Sequence, residues 1–239
     1  MAVIDAPEKP TPPKSRKAQR RRKKKPRRRS RVLTAIGMIL VLAGLGCIGY
    51  VAWELYGTNI VAERKQDEAK SQIAEDWANN IDGDAIGLLR VPAWGSDYEM
   101  PILPTFSAET LTNGVGWYEK SAPPGEVGNF VIAGHVSGNG AVFRHLIELT
   151  AGAEVVIETR THVYTYKLTD NGNDIRVPFT EGWPMFPVPD PNSRGVEPTE
   201  RMITMITCAE MFHTDDRRVV RGVLDTVEEK PAAAEAPAA

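Results

Sequence analysis

The sequence predicts a mainly β domain, a closed or nearly closed antiparallel barrel or a sandwich with few short helices, carried behind one membrane-spanning helix. Three observations lead there. An uncharged run of 22 residues, Val32 to Trp53, lies near the start. Between about residues 81 and 226 the chain is a series of seven or eight short β-rich segments separated by turn residues. That span carries no internal repeat and only one short stretch of helical spacing.

The apolar run, "VLTAIGMILVLAGLGCIGYVAW", exceeds the roughly 18 residues that a helix needs to cross a bilayer. Thirteen Lys and Arg lie between Lys14 and Arg31. Positive charge next to a spanning helix stays on the cytoplasmic side, so residues 1–31 are expected inside and everything after residue 53 outside. A nucleic-acid arm is the rival reading of that charge, but its direct contact with the apolar run favours topology. A cleaved signal peptide would have a shorter core, about 7–15 residues, and small residues at the cut. Here the run closes on "AWELYG", with Trp53, Leu55 and Tyr56, so an uncleaved anchor at 32–53 is expected.

Charge is distributed unevenly. The first 31 residues hold 14 of the 29 basic groups, and the remainder carries a net charge of −14. A strongly acidic exported domain makes nucleic acid an improbable partner. Residues 54–80 are charged and rich in helix formers, which predicts a helical stalk with solvated faces. The domain proper covers 81–226, enough for one real core. The end, 227–239, is Pro/Ala-rich without apolar periodicity and is expected to be disordered.

Within the domain, "AIGLLRVP" and "EMPILP" read as the first two strands, and "NFVIAGHV" as a buried strand running into a glycine-rich loop. "FRHLIEL" has the helical spacing of Phe143, Leu146 and Ile147. "AEVVIETRTHVYTYKLTD" reads as two strands around a turn near 159–161, and "RMITMITC" and "RRVVRGVLD" complete the set.

Only two cysteines occur, Cys47 in the apolar run and Cys208 at the end of "TMITC". A lone exported thiol is an inert buried group, an intermolecular bridge or a nucleophile. His135 lies where an apolar strand meets a glycine-rich loop and so suits proton transfer beside a thiolate. Arg217 lies nine residues after Cys208, enough for a strand to turn and return beside it. A guanidinium there would hold substrate carbonyls and a developing oxyanion, together with the backbone N–H after Cys208. Alternation places Arg217, Val219 and Arg221 on one face and Arg218 with Val220 on the other, so Arg218→Lys is expected to be close to neutral.

The chain resembles the sortase family. Thr204-Met205-Ile206-Thr207-Cys208 is similar to the family's TLxTC strand with methionine for leucine, and Gly134-His135 matches its histidine. Arg217 to Val220 resembles the strand that carries the family's arginine, with Arg218 at an apolar position. "APPGEVGNFVIAGH" and "GAVFRHLIELTAGAEVVIET" are similar to the surrounding stretches, particularly of class E enzymes of high-GC Gram-positive bacteria. Val136 stands where class E members often have arginine. The resemblance covers about 86–225 and implies an eight-stranded barrel. It implies a cysteine transpeptidase with His135, Cys208 and Arg217 as catalytic residues, cutting an LPxTG- or LAxTG-like sorting signal between Thr and Gly. The implied partners are sorting-signal-bearing surface proteins, a peptidoglycan-precursor or pilin amine acceptor, and the membrane. The alternative reading is an inactive membrane-anchored peptide-binding module.

Other residues have plainer readings. His145 and His162 lack a motif and are expected to be structural. His213, five residues after Cys208, is a minor candidate for the base. "DGD" at 82–84 and "DNGND" at 170–174 lack a calcium-loop pattern, and neither a metal nor another cofactor is expected. Trp183 and Phe186 are weighed equally as groove lining and as packing.

Overall fold

The structure is a computed structural model of the 239-residue chain and describes residues 28–211 and 215–231. The basic tail up to residue 27, the end from 232 and His213 lie outside the described residues. The chain divides into two compact units, 1–47 and 48–239.

Helix α1 (Arg28–Ala52) is built from the apolar run. Its Arg31–Ala52 segment is 22 residues long with a mean hydropathy of 2.4, and none of it is buried in the protein. That is the length and composition of one bilayer-crossing helix. A wider five-residue turn, Trp53–Gly57, follows, and helix α2 (Thr58–Ala78) continues from it. Gly57 makes room for the Trp53 ring, which a Cβ at residue 57 would meet at 2.4 Å. The expectation that this charged stretch is a solvated helix needs correction. Ala62, Gln66 and Ile73 are buried, and their spacing places them along one face.

The strands form a barrel. In chain order they are β1 (Gly87–Arg90), β2 (Glu99–Pro104), β3 (Val115–Trp117), β4 (Gly128–Ala133), β5 (Glu154–Glu158), β6 (His162–Leu168), β7 (Ile175–Pro178), β8 (Arg201–Cys208) and β9 (Asp216–Glu229). The ring runs β6-β5-β1-β2-β3-β4-β8-β9 and closes by pairing of β6 with β9. Eight strands thus make a closed barrel without free edges, and β7 adds to β9 beside it. Long β9 serves both roles: Asp216 to Val219 pair with β7, and Gly222 to Glu229 pair with β6.

The interior is filled by alternate side chains of the strands. Leu89, Ile102, Val115, Ile132, Val155, Ile157, Ile203, Met205 and Val220 are fully buried, and Phe130 and Tyr166 nearly so. Each of the large aliphatic ones contributes about 1.5–3 kcal/mol by leaving water. Tyr166 keeps its polar end satisfied, because its hydroxyl accepts the Gly125 N–H at 2.8 Å.

The barrel is not wholly antiparallel, contrary to the sequence expectation. β2–β3 and β4–β8 are parallel pairs. Alternation within a strand reveals its faces but not the direction of its neighbour. β4 did carry a hint, since five of its six residues are buried, a pattern common where a strand is covered on both faces. The β2–β3 crossover is made by a short helix, α3 (Ala108–Asn113), whose first turn is capped by Ser107 Oγ accepting the Thr110 N–H at 3.0 Å. "FRHLIEL" forms only a single 3-10 turn, Leu146–Glu148, and not an α-helix. Phe143 and Leu146 are buried as expected, whereas Ile147 is exposed.

Candidate active site

The parallel pairing of β4 with β8 decides where the candidate residues meet. Its register ends with Ala133 opposite Ile206, and the Gly134 N–H then donates to the Ile206 carbonyl at 3.1 Å. One further step along each chain gives Thr207 and Gly134, and the next gives Cys208 and His135. On the other side β8 and β9 run antiparallel, with Cys208 opposite Arg217. His135, more than 70 residues away in sequence, is therefore brought to the same end of the barrel as Cys208 and Arg217 by register alone.

They open on a common cleft of about 390 Å³. Its lining includes His135, Val136, Ser137, Thr207, Cys208 and Arg217. Cys208 and His135 are half-buried, accessible from the cleft and supported from behind. Burial pushes the His135 imidazole below its ordinary pKa, because the cation loses hydration there. Such a group is mainly neutral near pH 7 and accepts a proton only when one is pressed upon it.

The backbone around His135 is fixed on several sides. Buried Thr207 donates its hydroxyl to the Gly134 carbonyl at 2.7 Å. The His135 carbonyl accepts the Phe143 N–H at 2.9 Å, which closes the intervening loop. The Ser137 hydroxyl donates to the Met211 carbonyl, linking that loop to the chain beyond Cys208.

Arg217 and Arg218 occupy opposite faces, as alternation requires. Arg217 lines the cleft, donates from one guanidinium nitrogen to the Asp216 carbonyl at 3.1 Å, and stands 5.7 Å from the centre of the Phe179 ring. The aromatic face and the backbone contact together orient the guanidinium at the cleft. Arg218 is a different kind of residue. It is 6% exposed and donates to the carbonyls of Gly172 at 3.0 Å and Ala209 at 3.1 Å and to Asn173 Oδ1 at 2.5 Å. Burial and neighbouring Arg176 both lower its pKa. Near-neutrality of its replacement is therefore no longer expected: the guanidinium holds the residue after Cys208 to the β6–β7 connection.

The oxyanion scheme also changes. The Ala209 N–H, expected to face the substrate, instead donates to the Asp216 carbonyl at 3.0 Å. Of the two, Arg217 lines the cleft and Ala209 does not.

Of the other candidates, His145 pairs with Glu148 at 3.0 Å, and His162 contacts Thr161 at 2.8 Å and stacks on Tyr164; neither lines the cleft. Trp183 and Phe186 are also absent from its lining. The Phe186 carbonyl accepts from Asn129 Nδ2 at 2.9 Å, so that loop is pinned to β4. The turn residues are engaged locally: Asp82 with Arg160 at 2.6 Å, Asp170 with Arg221 at 2.8 Å, and Asp174 with Asn171 at 2.9 Å. Thr207 and Asn129 were not singled out by sequence reasoning. Thr207 was visible only as part of its motif, and Asn129 as a polar residue inside an apolar strand.

Comparison with known proteins gives the family. The family model "Sortase domain" matches residues 89–225. Sortase SrtE1 of Streptomyces coelicolor is 30% identical over 212 residues, covering 82% of this chain and 58% of its own. Sortase SrtE2 of the same organism is 29% identical, covering 83% of this chain and 84% of its own. The chain thus spans little more than half the length of the first relative and most of the second. Among solved structures, sortase E from Streptomyces avermitilis superposes with a TM-score of 0.54 and 29% identity, over 63% of this chain and 97% of that one.

Proposed function

The chain belongs to the sortase family, and we propose that it is a membrane-anchored cysteine transpeptidase whose nucleophile is Cys208. The observation that carries this reading is the double register that sets His135 and Arg217 on either side of Cys208 at the mouth of one cleft.

The Cys208 thiol gives its proton to His135, and the resulting thiolate attacks the threonine carbonyl of an LPxTG- or LAxTG-like signal, forming a C–S bond and a tetrahedral oxyanion. Arg217 donates to that oxyanion from a position already oriented by Phe179. Collapse breaks the Thr–Gly C–N bond, and the departing amine takes the proton carried by His135. The lowered proton affinity of His135 favours this transfer, since a cation disfavoured by burial gives up its proton readily. An incoming amine then attacks the thioester, loses its proton to His135 and releases the thiolate. The acceptor is an amine of a cell-wall precursor. The amino terminus is cytoplasmic and the barrel extracellular, an orientation supported by the basic segment before α1.

Mass spectrometry tests the chemistry. The full chain in detergent, incubated with LPxTG and LAxTG peptides, should form a thioacyl adduct that Cys208→Ala abolishes. Capture that persists without the thiol would overturn the nucleophile assignment. Absence of any adduct in the unmodified chain would favour a peptide-binding module instead.

A further inference from the structure

The loop that follows His135 has an unusual backbone. Gly138, Asn139, Gly140 and Ala141 are four successive residues with positive φ, at 62°, 45°, 79° and 43°. Glycine takes such values without strain, but Asn139 and Ala141 do so against the clash of their Cβ atoms, and Ala141 lacks the local hydrogen bonding that helps asparagine. Strained backbone of this kind persists only where its surroundings hold it.

The holding contacts come from the helix next to the apolar run. Asn59 Oδ1 accepts the Gly140 N–H at 3.0 Å, and Thr58 Oγ1 accepts the Asn139 N–H at 3.3 Å. The Thr58 hydroxyl hydrogen is used on the Glu54 carbonyl at 2.7 Å, which turns its oxygen toward the loop as an acceptor. Buried Ala62 and Gln66 extend the contact one and two turns further, and a Cβ on Gly140 would meet Gln66 Nε2 at 2.2 Å. The loop in turn begins at His135, and Asn139 lines the cleft.

We infer that Asn59 is a positioning residue: by accepting the Gly140 N–H, the first turn of α2 holds the strained Gly138–Ala141 segment, and through it the His135 imidazole, in register with Cys208. The inference rests on the transpeptidase reading. α2 is then part of the site's support and not only a spacer between membrane and barrel. The side-chain oxygen at position 59 is the feature that matters, so aspartate should serve and alanine should not.

The test uses the full chain in detergent micelles. Asn59→Ala should lower single-turnover acylation about tenfold with little change in peptide KM, because the cleft walls remain. That factor equals about 1.4 kcal/mol at 25 °C. Asn59→Asp should recover most of the loss. Adding Ala141→Gly to Asn59→Ala should recover part of it, since glycine takes φ near 43° without the clasp. Hydrogen exchange reports independently of chemistry: the Asn139 and Gly140 amides should be protected in the unmodified chain and exposed in Asn59→Ala. Unchanged exchange, or exposed amides with undiminished acylation, would overturn the inference while leaving the nucleophile assignment intact. A wild-type chain that never forms the adduct would sink the transpeptidase reading and this inference with it.

Discussion

The Thr207 hydroxyl donates to the Gly134 carbonyl across 2.7 Å, joining the residue before Cys208 to the residue before His135. Both ends of this link are held in the sheet, because Gly134 also donates its N–H to Ile206. The spacing between thiol and imidazole is thus set by a short closed circuit of hydrogen bonds, not by the two side chains themselves. Replacing Thr207 with Val keeps the shape but leaves a buried carbonyl without this donor, a loss of about 1–3 kcal/mol. Thr207→Val should lower both the melting temperature and the acylation rate, whereas Thr207→Ser should retain most of each. Thermal denaturation and single-turnover kinetics of the three proteins measure this. Equal rates in Val and Thr chains would show that the link does not position the pair.

Arg217 contributes a fork, and lysine does not. Arg217→Lys keeps the charge over the cleft but loses the planar pair of donors and the stacking on Phe179. Turnover should fall by about 10²–10³, as is typical when one oxyanion donor is removed. Peptide affinity should change much less, and kinetics alongside equilibrium binding would separate the two.

Arg218→Lys should act on stability first. Three acceptors, Gly172, Asn173 and Ala209, are satisfied by one planar group, and an ammonium cannot reach them all. A loss of at least ~2 kcal/mol is expected. Denaturant midpoints measure it; a midpoint equal to that of the parent would contradict the buried cage.

The His135 imidazole should titrate below its ordinary value of 6.5, with burial as the cause. Its proton is held more weakly in the folded chain than in the unfolded one, so the unfolded state binds more protons in this window. Stability from this group is fully present above about pH 6.5 and is lost as pH falls through the folded pKa. NMR of the imidazole C2 proton would give the midpoint directly. The stability difference between the parent and His135→Gln should shrink or reverse toward the parent's disadvantage on acidification through that range.

Much of the site was legible because it depends on patterns one residue wide. "TMITC" and "GH" announced the ends of two strands, and alternation separated Arg217 from Arg218. What could not be read was the chain's partner at each position. Nothing local says that β4 and β8 run parallel, or that the Ala209 N–H turns to Asp216. Arg218 was assigned to the right face, but the Gly172–Asn173 turn that covers it belongs to a segment 45 residues away. β3 and β7, at three and four residues, are too short to show alternation, and Pro178 ends β7. In α2 the apolar face is interrupted by Gln66, so its burial left no periodic trace.

Between β4 and β8 the chain completes three other strands before returning, and Thr207 and Gly134 are 73 residues apart. Contacts of such separation pay a larger loop-closure cost than a hairpin such as β5–β6, and they form late. A chain that is still folding therefore holds a thiol without its imidazole. In the proposed transpeptidase, reactivity is thus switched on by the closing of the barrel itself, and the order of assembly serves as its own safety catch.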